Sequence, residues 1–138
     1  MPQEFHLIGT SPRIAQESYS RCLRSPRFLA DFYDRLLASD PAVPPMFANT
    51  EFPKQYKLLQ HGLGLLLSYA NRTDDSLLER IAARHSSSGI GVTPAQYALF
   101  VESLLATVRV LDPKCDAEVE QAWREALEPG IAFMKSRY

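Results

Sequence analysis

Of the three histidines in this 138-residue chain, one stands where its chemistry needs an explanation. Leu77, Leu78, Ile81 and Ala82 recur at helical spacing, and His85 continues the same apolar face. An imidazole directed into a core must find a partner for each ring nitrogen or forfeit hydrogen-bond energy. One nitrogen can donate to the carbonyl of Ile81, one turn back. The other is then left as an inward-pointing acceptor, the state a metal ion requires of a histidine whose tautomer is fixed by its second hydrogen bond. A core histidine satisfied on both sides fits the same pattern, so the ligand reading needs support from the rest of the chain.

That support is not a second ligand. Asp75, Glu79 and Arg84 lack the spacing of a carboxylate–histidine pair in a two-metal site, and no cysteine lies near His85. A metal held by His85 must bring its other ligands with it. Heme does so, because the porphyrin supplies the equatorial nitrogens and the protein gives only one. Ser86-Ser87-Ser88-Gly89 is no phosphate loop: it follows a helix and has no lysine. Cys22 and Cys115 do not make a disulfide framework and read as small hydrophobes of a reducing cytosol.

The elements needed to carry these residues are all helical. Ser25-Pro26 opens a helix with Phe28, Leu29, Phe32, Tyr33, Leu36 and Leu37 on one broad face, stopped by Ser39-Asp40-Pro41. A shorter amphipathic segment precedes it from about Pro12 to Leu23, with His6 ahead of that segment. Pro41 to Phe47 has room for little more than a turn of 3₁₀ structure. Thr50 to Ala70 reads as a second long helix with the stripe Leu58, Leu59, Leu63, Leu66 and Leu67, followed by a polar break at Asn71-Arg72-Thr73-Asp74. After His85 comes a small-residue turn, Ser86 to Gly91. Thr93-Pro94-Ala95-Gln96 then offers a capping box for Tyr97, Phe100, Val101, Leu104, Leu105, Val108 and Leu111. Asp112-Pro113 ends that helix. A last one starts near Asp116, with Val119, Ala122, Trp123, Ala126, Leu127, Gly130, Ile131 and Met134 turned inward and Lys135 and Arg137 at its end, where cations favour the dipole. No stretch alternates as a strand would. The expectation is an all-α fold of six to seven helices in a single domain over residues 1–138.

Composition excludes several classes of function. The chain is 46% hydrophobic and 22% charged, the balance of a soluble globular protein, and its net charge of −1 provides no bulk attraction to nucleic acid. The apolar run Leu63 to Tyr69 is broken by Gly64 and Ser68 and is too short to span a bilayer. The first residues lack the pattern of a secretion signal. A cytoplasmic protein is expected, monomeric or homodimeric, with no nucleic-acid or membrane partner.

From about residue 12 to Tyr138 the chain resembles the globins, and within them the bacterial single-domain, flavohemoglobin-related type. Three landmarks occur in order. Phe32-Tyr33, Leu36-Leu37, Asp40-Pro41 and Pro45-Met46-Phe47 are similar to the family's second helix and the corner after it. Leu78 to His85 is similar to the helix bearing the proximal histidine. Tyr97 to Leu111 and Val119 to Met134, with Trp123, resemble its last two helices. The resemblance implies a globin fold around a heme pocket, a b-type heme whose iron is bound by His85, and a diatomic gas ligand (dioxygen, carbon monoxide or nitric oxide). It places Phe47 flat on the porphyrin and Tyr33 at the bound ligand. Gln55 takes the distal position with Leu59 one turn later, and Lys54, Tyr56 or Leu58 would take it if the helix were rotated. Ile81, Ile90, Val92, Tyr97 and Phe100 are assigned to the proximal and inner edge, and Arg84 or Lys54 to the propionates. His61, six residues after Gln55, points away from that face. The flavohemoglobin pattern also pairs the proximal histidine with a tyrosine and a carboxylate on the last helix. Here those positions read Leu127 and about Tyr138, which implies a neutral imidazole, as in oxygen-carrying globins, and no peroxidase-like push on the iron. Reversible gas binding is therefore the expected function, with no dedicated enzyme activity. The alternatives are nitric oxide dioxygenation fed by a separate reductase, gas or redox sensing through a partner, and a heme-free interaction module.

Overall fold

The computed structural model describes residues 2–68 and 76–138. Its elements, in chain order, are α1 (Pro2–Leu23), α2 (Phe28–Ser39), a 3₁₀ turn (Pro44–Phe47), α3 (Phe52–Ser68), α4 (Ser76–His85), α5 (Pro94–Leu111) and α6 (Ala117–Ser136). The described residues contain no strand. Nor do they contain a helix long and apolar enough to cross a membrane.

Two helix starts follow directly from their capping residues. Thr93 Oγ1 accepts the Gln96 N–H at 3.3 Å while the Gln96 side chain accepts the Thr93 N–H at 2.9 Å, so the capping box that opens α5 is complete. Asp116 accepts the Val119 N–H at 2.8 Å and opens α6.

The centre of the molecule lies where α1 packs on α6 and α2 on α5. Trp123 is fully buried there, edge-on to Tyr19 with ring centroids 6.1 Å apart. Its indole N–H donates to Ser18 Oγ at 2.9 Å, and Ser18 in turn donates to Asp112 at 2.5 Å. Arg21 closes the network with a two-pronged grip on Asp112, at 2.6 and 2.9 Å. Asp112 is only 2% exposed. Burial by itself would raise its pKa, but hydrogen bonds from Arg21, Ser18 and the Lys114 N–H outweigh burial and hold the carboxyl below its ordinary value. Tyr19 reaches from α1 to the Gln60 carbonyl on α3 at 2.8 Å. α6 in turn lies close on α3, because a Cβ at Gly130 would stand 2.6 Å from the end of Leu66.

Several boundaries and faces depart from expectation. α1 starts about ten residues before Pro12, so His6 lies within it and Pro12 is an interior proline. A proline costs one backbone hydrogen bond there, and burial of Ala15, Ser18, Tyr19 and Cys22 on a single face offsets that loss. α2 starts at Phe28, because Ser25 spends its hydroxyl on the Arg27 N–H at 3.2 Å in a turn instead of capping the helix. Leu58 and Leu77, both expected on inner stripes, are 56% and 40% exposed, whereas Leu65 is buried. The helical phase is set by the better-packed neighbours, Leu63, Leu66 and Leu67 in one case and Leu78 and Ala82 in the other. The expected continuation of α3 to Ala70 and the polar break Asn71–Asp74 lie outside the described residues.

Candidate functional site

His85 is the last residue of α4, half-buried, and its Nδ1–H donates to the Ile81 carbonyl at 2.7 Å. That bond occupies Nδ1 and, in the neutral ring, fixes the tautomer with Nε2 as the acceptor. Among the described residues no group hydrogen-bonds Nε2, and no carboxylate reaches the ring. The backbone that carries the imidazole is gripped as well. The Ile90 N–H takes the Arg84 carbonyl and the Val92 N–H the His85 carbonyl, both at 2.9 Å, while Ser86 Oγ donates to the Ala83 carbonyl at 2.7 Å. The carbonyls that a helix end leaves unpaired are thereby satisfied. Gly89 makes this turn tight enough, since any side chain there would collide with the Arg84 carbonyl.

A second group forms between α2, the 3₁₀ turn and α3. Tyr33 on α2 is 3% exposed, and four aromatic rings surround it: Phe32 at 5.0 Å, Phe52 at 5.5 Å, Phe47 at 5.6 Å and Tyr56 at 5.8 Å. Phe47 and Phe52 stack on each other at 6.2 Å. Gln55 Nε2 donates to the Tyr33 hydroxyl oxygen at 3.0 Å. Burial pushes the Tyr33 phenol up to about 12, with the Gln55 hydrogen bond offsetting part of that rise, so the group keeps its proton throughout neutral pH. Because Gln55 fills an acceptor site on the oxygen, the phenolic O–H remains free to donate elsewhere.

Of the four residues considered for the distal position, Gln55 and Tyr56 are half-buried, whereas Lys54 and Leu58 are exposed, Lys54 paired with Glu51 at 2.8 Å. Leu59, Ile81, Val92 and Phe100 are half-buried against the core, and Tyr97 is buried. Phe100 connects α5 to the aromatic group through Phe32, at 5.3 Å. Arg84 and His61 are exposed. Ile90, assigned by resemblance to an inner edge, is 61% exposed, because the turn spends its N–H on Arg84 and directs its side chain outward. Leu127 is buried and apolar, and the main-chain oxygen of Tyr138 lies against Ser87. Phe52 is a member of this aromatic group not expected from the sequence. The available signal was an aromatic one turn before Gln55, at the start of the same helix.

These residues fit a heme. An oriented imidazole with an unused Nε2 suits an axial ligand. The half-covered apolar side chains Phe47, Phe52, Leu59, Ile81, Val92 and Phe100 are the surface a flat hydrophobic group would cover. Among the described residues no group of three or more His, Cys, Asp or Glu could hold a bare metal ion, so a metal at His85 would need ligands of its own.

Comparison with known proteins agrees in both sequence and shape. A crystallised protein from Pseudomonas aeruginosa PAO1, described as structurally highly homologous to a human hemoglobin, is 38% identical and superposes with a TM-score of 0.90 over 94% of this chain and 98% of its own. A flavohemoprotein of Rhizobium meliloti is 29% identical over 86% of this chain, and one of Halalkalibacterium halodurans is 32% identical over 70%. The chain spans only about a quarter of these two relatives, 28% and 24% of their lengths. The sequence profile of the globin family matches residues 30–133, a stretch that includes the aromatic group, His85 and most of α6. By that match and by its all-helical, hemoglobin-like architecture, the chain belongs to the globin family.

Proposed function

We propose that the protein binds a b-type heme through His85 and reversibly takes up a diatomic gas, with residues 1–138 acting as one globin domain. The observation that carries this reading is the 2.7 Å bond from His85 Nδ1–H to the Ile81 carbonyl, which occupies one ring nitrogen and leaves Nε2 as the one that could take a metal. When bound, the heme would supply the iron that takes up dioxygen, carbon monoxide or nitric oxide. The protein's own residues govern what happens there. Phe47, Leu59, Ile81, Val92, Tyr97 and Phe100 would hold the porphyrin and exclude water from it. Tyr33, whose hydroxyl oxygen accepts from Gln55 at 3.0 Å, would have its O–H available to donate to a bound gas. Arg84, exposed beside His85, is available to the propionates.

The test is spectroscopic. Protein reconstituted with heme should give a Soret band that shifts on reduction and addition of carbon monoxide, and His85→Ala should abolish or alter that band. A parent protein without the band would refute the reading. The likeness to flavohemoproteins, whose name joins flavin to heme, favours a second reading in which a partner reductase supplies electrons for nitric oxide dioxygenation. Sustained nitric oxide consumption with an added reductase would support that reading, and a single turnover that then stops would count against it.

A further inference from the structure

We infer that the end of α6 is a positioning device for His85. The inference rests on the heme reading above but concerns residues outside the pocket. α4 is ten residues long, and the last residues of the chain tie it down at both ends. Near its start, Glu79 accepts the Arg137 Nε–H at 2.7 Å. Just past its end, Ser87 gives both its backbone N–H, at 3.1 Å, and its hydroxyl, at 2.8 Å, to the main-chain oxygen of Tyr138. Arg137 is braced in turn: its guanidinium lies 4.6 Å over the Phe133 ring, and its N–H returns to the Met134 carbonyl at 3.1 Å.

Two ties at opposite ends of one short helix fix both its position along its axis and its rotation, which a single tie would not. Ser87 lies in the turn whose amides cap the Arg84 and His85 carbonyls, so displacement of the α6 end is passed to the peptide that carries the imidazole. Among the described residues the ring's one hydrogen bond is to the Ile81 carbonyl, and that carbonyl moves with the same helix. The placement of α4 is therefore the lever this chain has over a metal bond at Nε2. Both ties are solvent-exposed, and exposed pairs contribute little to global stability, so they act on geometry more than on folding.

The experiment compares the parent with a Ser87→Ala/Arg137→Ala double variant, in which the first tie is removed and the second is weakened to the Ser87 backbone N–H alone, and a conservative Ser87→Thr/Arg137→Lys variant. In the heme-loaded ferrous form, the double variant should shift or broaden the iron–histidine stretching band in resonance Raman. It should also change the carbon monoxide association rate about threefold, the scale on which exposed pairs act, with an unchanged unfolding midpoint. The conservative variant should restore both. In the heme-free protein, the Ile90 and Val92 amides of the double variant should exchange with solvent about tenfold faster. An unchanged band, rate and exchange would overturn the inference. A parent that binds no heme would sink the proposed function, and the exchange measurement would still decide the tie. If the double variant does not fold, Glu79→Gln, which weakens only the first tie, is read by the same three measurements.

Discussion

The two halves of this molecule are finished to different degrees. Where α1, α2, α5 and α6 meet, Trp123, Phe28, Phe32, Leu104, Leu105, Val108 and Thr107 are sealed by protein atoms, and even the polar groups Ser18 and Asp112 are completely partnered. Along α3, α4 and the segments joining them to their neighbours, Phe47, Phe52, Tyr56, Leu59, Ile81 and Val92 are only half-covered. α3 and α4 still bury Leu63, Leu66, Leu67, Leu78 and Ala82, and the half-covered side chains are those a heme would cover on the proposed reading, at about 25 cal/mol per Å². On the proposed reading the two regions have two tasks: the first holds the fold, and the second keeps apolar surface and one imidazole nitrogen for a heme.

The largest predicted effect tests whether the closed half carries stability alone. Asp112→Asn leaves Arg21 and Ser18 facing an uncharged group in a buried site, and should cost about 3 kcal/mol in chemical denaturation, the lower end for breaking a buried pair. The pH dependence has a definite sign. The folded carboxyl lies below its ordinary 3.8, so its contribution is present above that value and is lost as pH falls through the lower folded value. The gap between parent and variant should be full at neutral pH and close only in strong acid. Any heme band should be left in place; if Asp112→Asn abolished heme binding in a folded protein, the division into two tasks would be wrong.

Gly89→Ala tests the other half. Its new methyl group meets main-chain atoms of Arg84 and Ala83, which cannot give way as a side-chain tip would. Overpacking of this kind costs about 1–3 kcal/mol, and here the cost falls on the turn that caps α4. Heme retention, measured by transfer to a competing apoprotein, should weaken more than the unfolding midpoint falls. Equal losses would mean that the turn serves only the fold.

What was legible in the sequence follows the same division. Helical periodicity and caps are local, so the Thr93–Gln96 box, the Asp116 cap and the bond from His85 to Ile81 could all be read from spacing. The phase of α3 and α4 could not, because Leu58 and Leu77 are as apolar as their neighbours and only tertiary packing decides which leucines go inside. Pro12 misled because a proline favours the first turn yet is tolerated further in when packing offsets its missing bond. Asp112 read as a helix stop, which it is, but nothing local reveals that Ser18, Arg21 and Trp123 converge on it from distant parts of the chain. The ties from Arg137 and Ser87 were invisible for the same reason.

The smallest predicted effect lies in the aromatic group. Tyr33→Phe removes one hydroxyl and leaves the ring packing intact, so stability should change by about 1 kcal/mol or less, the usual net worth of a hydrogen bond. Gln55 loses its acceptor but, being half-buried, can turn to water. The informative comparison is between ligands. On the proposed reading, dioxygen with its partial negative charge would use the phenolic O–H, whereas carbon monoxide is nearly neutral, so dioxygen should dissociate about tenfold faster from the variant while carbon monoxide changes little. Titration supplies an independent check. The parent's phenol, held up by burial, should ionise near 12 rather than at its ordinary 10.0, so phenolate absorbance in the interval between should be the same in parent and variant. If the variant lost absorbance in that interval, Tyr33 would be ionising as a solvent-exposed tyrosine does. The ring would then not be sealed among Phe32, Phe47, Phe52 and Tyr56, and the donor assigned to a bound gas would be lost with it.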